Sequence, residues 1–166
     1  MTQYVALLRG IGPTNPNMRA QILRGVFEQL EFSYVGSVLG TGNILFASRE
    51  TEEKKLETQI ETAIKQELGF TSATIIRSRK EMEQLAAREP FRGLVDSPTC
   101  KCNVTFFKTP REGKREITWT IDTTTQETVK KMAALEKEYG KAITTRTWGT
   151  VKKILAKFGT LQGETL

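Results

Sequence analysis

A run of hydroxyl, guanidinium and indole side chains near the carboxyl-terminal end is the segment of this chain best suited to binding chemistry. Residues 144–150 hold four threonines, Arg146 and Trp148, at the point where a short strand predicted near 142–145 leads into the last helix. The backbone N–H groups of a helix start, the threonine hydroxyls and a guanidinium could converge on a phosphate or a carboxylate. A structural interpretation stays open beside this one, in which Thr147 caps the helix and Trp148 is its first core residue.

A second candidate region is the glycine-containing loop 10–15, which follows Arg9 and separates the first predicted strand from the first predicted helix. Dinucleotide-binding loops occupy this position, but Asn15 stands where their third glycine belongs, and the strands that follow form a hairpin instead of a parallel crossover. We therefore expect a turn that needs glycine for its backbone dihedrals. A helix amino terminus beside Arg9 could still hold an anion.

The composition excludes several classes of chemistry. The chain contains no histidine, which removes the usual general base at neutral pH and the commonest metal ligand. Cys100 and Cys102 match no metal-binding spacing, and they are too close along one strand for an unstrained disulfide. Glu53 and Glu57 are spaced by four residues on a predicted helix, but lysines flank them, so a catalytic carboxylate pair is not predicted. We expect no metal and no cofactor.

The net charge of +6 is concentrated at the two ends of the chain. Residues 1–27 and 140–163 contain basic side chains and no acid. These ends form one basic patch only if they meet in space. Lys152 and its lysine neighbours on the last helix then suit an anionic partner, or they simply face water. The sequence disfavours an RNA-recognition motif without excluding nucleic acid, because segment 44–47 has aliphatic residues where the stacking aromatics of that motif would stand.

The first 78 residues predict the order strand, helix, strand, strand, helix, strand. Unbroken apolar runs at 4–8 and 44–47 indicate strands covered on both faces, whereas the strands near 33–39 and 73–77 are mixed in polarity. A ferredoxin-like sheet places its first and third strands in the centre, so the polarity agrees with that topology. The apolar stripes of the two helices are Met18, Ile22, Leu23, Val26, Phe27 and Leu30, and Leu56, Ile60, Ala63, Ile64 and Leu68.

Residues 79–166 predict the order helix, strand, strand, helix, strand, helix, which is an incomplete second ferredoxin-like unit packed on the first. Strands are expected near 101–108 and 116–121, joined by the basic turn 110–115. Capping residues are expected to begin the first four helices of the chain, at Asn15, Thr51, Ser78 and Thr124. The predicted fold class is therefore α+β, with one subdomain at 1–78 and a second over the remainder.

Three dispersed segments carry a family resemblance. They read Tyr-Val-Ala-Leu-Leu-Arg-Gly-Ile over residues 4–11, Gly-Asn-Ile-Leu-Phe over 42–46, and Thr-Thr-Arg-Thr-Trp-Gly-Thr-Val over 144–151. In this order and spacing they resemble the bacterial family known as domain of unknown function 1697. The chain departs from the typical asparagines of that family at three positions, Gly12, Thr147 and Gly149. The resemblance implies a two-part α+β architecture built on ferredoxin-like units, and it implies no established activity, cofactor or substrate.

These observations lead us to expect a small cytoplasmic binding module for an anionic small molecule. Its candidate site residues are Arg9, Asn43, Arg146, Thr147, Trp148 and Lys152. Arg9 and Arg146 would face one cleft if the two units pack together.

Two alternatives stay open. One is a histidine-independent enzyme for a phosphorylated or acyl substrate, which would need a pocket with Arg9 or Asn43 beside a carboxyl or lysine of shifted pKa. The other is a structural or self-associating protein, such as a homodimer. No membrane partner is expected, because the sequence shows neither a signal-peptide pattern nor a long apolar segment.

Overall fold

The computed structural model describes residues 1–12, 14–125 and 127–161. In the first half of the chain, a short 3₁₀ turn at Pro16–Met18 separates the first strand from the first helix. The regular elements of this half are β1 (Thr2–Leu8), α1 (Ala20–Gln29), β2 (Ser33–Ser37), β3 (Asn43–Ser48), α2 (Glu53–Leu68) and β4 (Thr74–Ser78).

The first sheet has the strand order β2-β3-β1-β4, and every neighbouring pair is antiparallel. The prediction that the first and third strands occupy the centre is confirmed, and both are buried along nearly their whole length. Tyr4, Ala6 and Leu8 face α1 and α2, whereas Val5 and Leu7 face the second half of the chain. This alternation follows from the two-residue period of a strand.

The second half forms a separate three-stranded antiparallel sheet with the strand order β6-β5-β7. Its elements are α3 (Arg79–Ala87), β5 (Cys100–Arg111), β6 (Lys114–Asp122), α4 (Glu127–Tyr139), β7 (Ile143–Thr147) and α5 (Trp148–Leu161). The predicted order of elements is the observed one. The hairpin between β5 and β6 is longer than predicted, because the basic segment 110–115 mostly continues the strands and turns at Glu112 and Gly113.

One hydrophobic core lies between the two sheets. Val5 and Leu7 of the first sheet belong to the same cluster as Val104 and Phe106 of β5, together with side chains of α3 and α5. Mixed helices and antiparallel sheets confirm the α+β class. The likeness of each half to a ferredoxin-like unit and the subdomain boundary after Ser78 stay predictions.

Three local expectations differ from the structure. The first helix begins only at Ala20, because Arg19 is extended, and Ile22 of the predicted stripe is 42% exposed. The second helix has Glu52 and not Thr51 at its N-cap position. The fourth strand is buried from Thr74 to Arg77 instead of on one face, since the second half of the chain covers it. Within the described ranges, no helix has both the length and the apolarity that crossing a bilayer requires.

Candidate anion-binding cleft

Arg146 is buried where the two sheets meet, and its guanidinium reaches from β7 to the hairpin between β2 and β3. The residue is 8% exposed. Its Nε donates to Asn43 Oδ1 at 2.6 Å, and its Nη2 donates to the carbonyl oxygens of Leu8 at 2.9 Å and Gly42 at 3.3 Å. Arg146 therefore ties β7 to both central strands of the first sheet.

The charge of Arg146 is held by neutral oxygens. Its Nη1 donates to Thr144 Oγ1 at 2.5 Å and to the carbonyl oxygen of Thr145 at 3.1 Å, so all three guanidinium nitrogens are bonded. Desolvation by burial lowers the pKa of Arg146 to about 10. The group thus remains a cation at neutral pH, and carbonyl dipoles compensate the cost of its burial.

Asn43 explains why the hairpin can receive Arg146. The side chain is fully buried, and its Nδ2 donates to the carbonyl oxygen of Val38 at 2.9 Å and to Thr41 Oγ1 at 3.0 Å. These bonds orient Oδ1 toward the guanidinium. Gly42 has a φ of +85°, and a Cβ there would lie 2.9 Å from the carbonyl oxygen of Leu8. The turn therefore needs glycine both for its dihedrals and for its close approach to β1.

Arg9 follows β1 and crosses to the second half of the chain. Its Nη1 donates to the carbonyl oxygen of Ile143 at 2.8 Å, and its Nη2 forms an ion pair with the carboxylate of Glu136 on α4. The Arg9 side chain is 28% exposed and that of Glu136 is 41% exposed. Both partners of this pair are thus accessible to a ligand from solvent.

Arg9 lines a cleft of about 250 Å³ between α4, the end of β1 and the start of β7. Gly10, Met132 and Glu136 line it as well, together with Ile143–Thr145. Arg9 bonds to Ile143, whereas Arg146 bonds to Thr144 and Thr145. Two guanidinium groups thus bond to one three-residue stretch of β7, and Asn43 accepts from the buried one, Arg146.

Of the six candidate residues, Arg9 alone is among those that line this cleft. Thr147, Trp148 and Lys152 make contacts elsewhere. Thr147 Oγ1 accepts a hydrogen bond from the Thr150 N–H at 3.3 Å, as a helix cap does. Trp148 is 8% exposed and packs edge-on against Phe91, with 5.2 Å between ring centroids. Lys152 is exposed on α5. These contacts match the structural interpretation of Thr147 and Trp148 that the sequence left open.

Asp96, which the sequence analysis did not select, occupies the amino terminus of α5. Its Oδ2 accepts from the Gly149 N–H at 2.7 Å, and its Oδ1 accepts from the Cys102 N–H at 2.8 Å. The chain thus supplies its own carboxylate where the helix dipole favours an anion. A Cβ on Gly149 would lie 2.9 Å from Asp96 Oδ2, so glycine admits this contact. One feature of the sequence could have singled out Asp96, because it is the one acidic residue between residues 90 and 99.

The carboxyl groups with a raised pKa lie outside the Arg9 cleft. Burial raises the pKa of Glu57 on α2, whose Oε1 accepts from the Ile76 N–H at 3.3 Å. Burial also raises the pKa of Glu81 on α3. Its Oε1 forms an ion pair with Nη1 of Arg115 at 2.7 Å. In residues 1–12, 14–125 and 127–161, no cluster of three or more acidic, cysteine or histidine side chains is placed to hold a metal ion.

The fold and this cleft define an α+β protein in which a buried arginine, Arg146, joins two antiparallel sheets. Residues 1–138 match the family described as "Protein of unknown function (DUF1697)", and the chain belongs to that family. The match ends before the segment 144–151, so the resemblance of that segment stays a prediction.

A solved structure shares the fold. It is that of the conserved bacterial protein SP0830 from Streptococcus pneumoniae, with 22% sequence identity and a TM-score of 0.75. The alignment covers 96% of this chain and 99% of that one. No curated protein matches the chain.

Proposed function

We propose that this protein is a binding module for a small molecule bearing a phosphate or carboxylate, held in the cleft between Arg9 and β7. The observation that carries the proposal is an imbalance of charge. Arg9 and Arg146 both bond to residues 143–145, and Glu136 is the single carboxylate bonded to either guanidinium among the described residues. An accessible cation and a buried cation that bond to neighbouring residues of β7 favour an anionic ligand.

Binding at this cleft requires the ligand to replace one carboxylate. The exposed side chain of Glu136 moves away from Arg9, and the anionic group of the ligand takes its place. The guanidinium of Arg9 can donate two parallel hydrogen bonds to two oxygens of that group. Thr144 and Thr145 line the same cleft. Arg146 acts through the electrostatic potential and through Thr144 Oγ1, to which it donates, so it is a positioning residue.

Binding is favoured over catalysis by the placement of the titratable groups. An enzyme without histidine would need a carboxyl or amine of shifted pKa beside Arg9 or Asn43. The carboxyl groups with raised pKa, Glu57 and Glu81, contact β4 and Arg115 instead. The proposal needs neither a nucleic acid nor a second copy of the chain.

Isothermal titration with inorganic phosphate, pyrophosphate and citrate tests the proposal. We expect at least one of these anions to bind the wild-type protein. The variant Arg9→Gln should weaken binding by about tenfold or more, because it removes a charged hydrogen-bond donor. The variant Glu136→Gln should tighten binding, because it removes the competing carboxylate.

Lys65→Gln is the matched control, since Lys65 is an exposed cation on α2, and it should bind as the wild type does. A Glu136→Gln protein that binds none of the three anions would reject the proposal. So would an Arg9→Gln variant with unchanged affinity.

A further inference from the structure

We propose that a second groove, at the opposite end of β1 from Arg9, binds a ligand that joins a flat ring to an anionic group, as a mononucleotide does. The groove has a volume of about 860 Å³ and begins at the first residues of β1. Six of its lining residues enter the argument, namely Gln3, Tyr34, Arg49, Arg79, Lys80 and Glu83. Its size lies in the range of small-molecule sites.

Tyr34 is turned toward this groove by an irregularity in the edge strand β2. The pairing with β3 passes from Ser33–Ala47 to Gly36–Leu45, so β2 advances three residues while β3 advances two. This extra residue is a β-bulge, a feature that redirects side chains and is enriched beside functional sites.

The backbone of Tyr34 is strained at the bulge. Its φ is +53°, and it is the one described residue other than glycine that has a positive φ inside a strand. Such a conformation is unfavourable for a bulky side chain. The strain does not serve to bury the ring, because Phe32 and Val35 pack in the core while Tyr34 is 41% exposed. The exposed aromatic ring of Tyr34 therefore lines the groove.

Cations outnumber acids along the same groove. Arg49, Arg79 and Lys80 line it with one acid, Glu83. Neither Arg49 nor Lys80 has an ion-pair partner within the part of the chain that the structure describes. The groove therefore holds a net positive charge that its own residues do not neutralise.

Arg79 is held in place before any ligand arrives. Its Nε donates to Glu83 Oε1 at 2.6 Å and its Nη1 donates to Gln3 Oε1 at 2.8 Å, while the guanidinium lies 6.0 Å from the centre of the Phe158 ring. Neither bond uses Nη2. A fixed guanidinium loses little freedom when it binds an anion, so the site is partly preorganised.

The pairing of an exposed tyrosine ring with uncompensated cations selects the ligand class. A heterocyclic base can stack on an aromatic side chain whatever its identity, and a phosphate accepts charged hydrogen bonds from arginine and lysine. Neither feature alone distinguishes a nucleotide from a simple anion. Both occur here in one groove.

Titration calorimetry of the full chain with adenosine monophosphate, adenosine and inorganic phosphate tests this inference. We expect adenosine monophosphate to bind more tightly than adenosine or inorganic phosphate alone. Tyr34→Ala should weaken that binding about tenfold and Tyr34→Phe should preserve it, because stacking needs the ring and not the hydroxyl. Arg49→Gln should weaken binding of the monophosphate and leave adenosine unchanged. Lys54→Gln, which removes an exposed cation on α2, is the control and should change nothing.

Two further measurements separate this site from the Arg9 cleft and from loss of folding. In the Arg9→Gln background, which weakens anion binding at the Arg9 cleft, adenosine monophosphate should still bind this groove, and adding Tyr34→Ala should still weaken that binding. Loss of the Tyr34 effect in this background would overturn the inference. Tyr34→Gly also lacks the ring but tolerates a positive φ, so it serves if the alanine variant does not fold. The inference also fails if adenosine monophosphate does not bind at millimolar concentration, or if Tyr34→Gly binds it as the wild type does.

Discussion

Arg146 Nε lies 2.6 Å from Asn43 Oδ1, although 103 residues separate the two along the chain. This contact joins β7 to the start of β3, and the same guanidinium bonds to the carbonyl oxygens of Leu8 and Gly42. One side chain thereby fixes the second sheet against the turn and the central strand of the first. The candidate cleft depends on this junction, because Thr144 and Thr145 contact Arg146 and line the cleft.

Replacing Arg146 with lysine should destabilise the protein strongly. Lysine keeps the charge but cannot reach Asn43, Leu8 and Thr144 together, so buried oxygens lose their donors. We expect the free energy of unfolding to fall by about 3 kcal/mol. Urea denaturation measures this change, with the exposed Arg111→Lys as control. A loss no larger than that of the control would contradict the assigned role of Arg146.

The hairpin turn offers a matched pair of glycine variants. Gly42→Ala should lower the free energy of unfolding by about 2 kcal/mol, because of its positive φ and the closeness of the Leu8 carbonyl. Gly40 has no heavy atom within 4 Å of an added Cβ and no positive φ. Gly40→Ala should therefore stay within about 0.5 kcal/mol of the wild type in the same denaturation experiment. Equal effects of the two variants would show that the close approach at Gly42 is unimportant.

Asp96 is expected to stabilise α5 and to exclude external anions from its amino terminus. Asp96→Ala should cost about 1.5 kcal/mol, the range of a lost helix cap. Inorganic phosphate should then raise the melting temperature of the alanine variant more than that of the wild type, because the N–H of Gly149 becomes available. Differential scanning calorimetry measures both effects. Asp96→Asn keeps an acceptor oxygen and should lose less stability. Identical responses of wild type and Asp96→Ala to phosphate would rule out this role.

Glu57 should make the stability of the protein depend on pH. Burial raises its pKa in the folded state, so the folded protein binds this proton more tightly than the unfolded chain. The contribution of Glu57 to the free energy of unfolding is therefore greatest below its ordinary pKa of 4.5. This contribution is lost as the pH rises through the pKa that Glu57 has in the folded protein.

Glu57→Gln isolates this effect, because it keeps an oxygen that can accept from the Ile76 N–H. The stability of the variant relative to wild type should increase as the pH rises from about 4 to about 7. Urea denaturation across this range provides the measurement, with Glu28→Gln on α1 as an exposed control. If the difference in the free energy of unfolding between variant and wild type stays constant across this pH range, the raised pKa of Glu57 is contradicted.

The amino-acid sequence by itself determined the order of elements and the centre of the first sheet. Unbroken apolar runs predicted that β1 and β3 are inner strands, and the structure has them there. Ser78 begins α3 as predicted, with its Oγ accepting from the Glu81 N–H at 3.1 Å. Such signals can be read from sequence because periodicity and capping depend on residues within one or two helical turns.

Tertiary structure alone decided which charged groups meet. The sequence predicts that Arg9 and Arg146 face one cleft if the two units pack together. In the structure Arg9 lines the cleft, whereas Arg146 bonds to Asn43 and to the cleft-lining residues Thr144 and Thr145. Thr147, Trp148 and Lys152 do not line it. No local sequence pattern predicts the ion pair between Glu136 and Arg9 or the hydrogen bond from the Gly149 N–H of α5 to Asp96. These contacts join residues tens of positions apart, and the packing of two sheets on one core decides their distances. A sequence shows which side chains carry charge, whereas only the folded chain shows which of those charges already have partners.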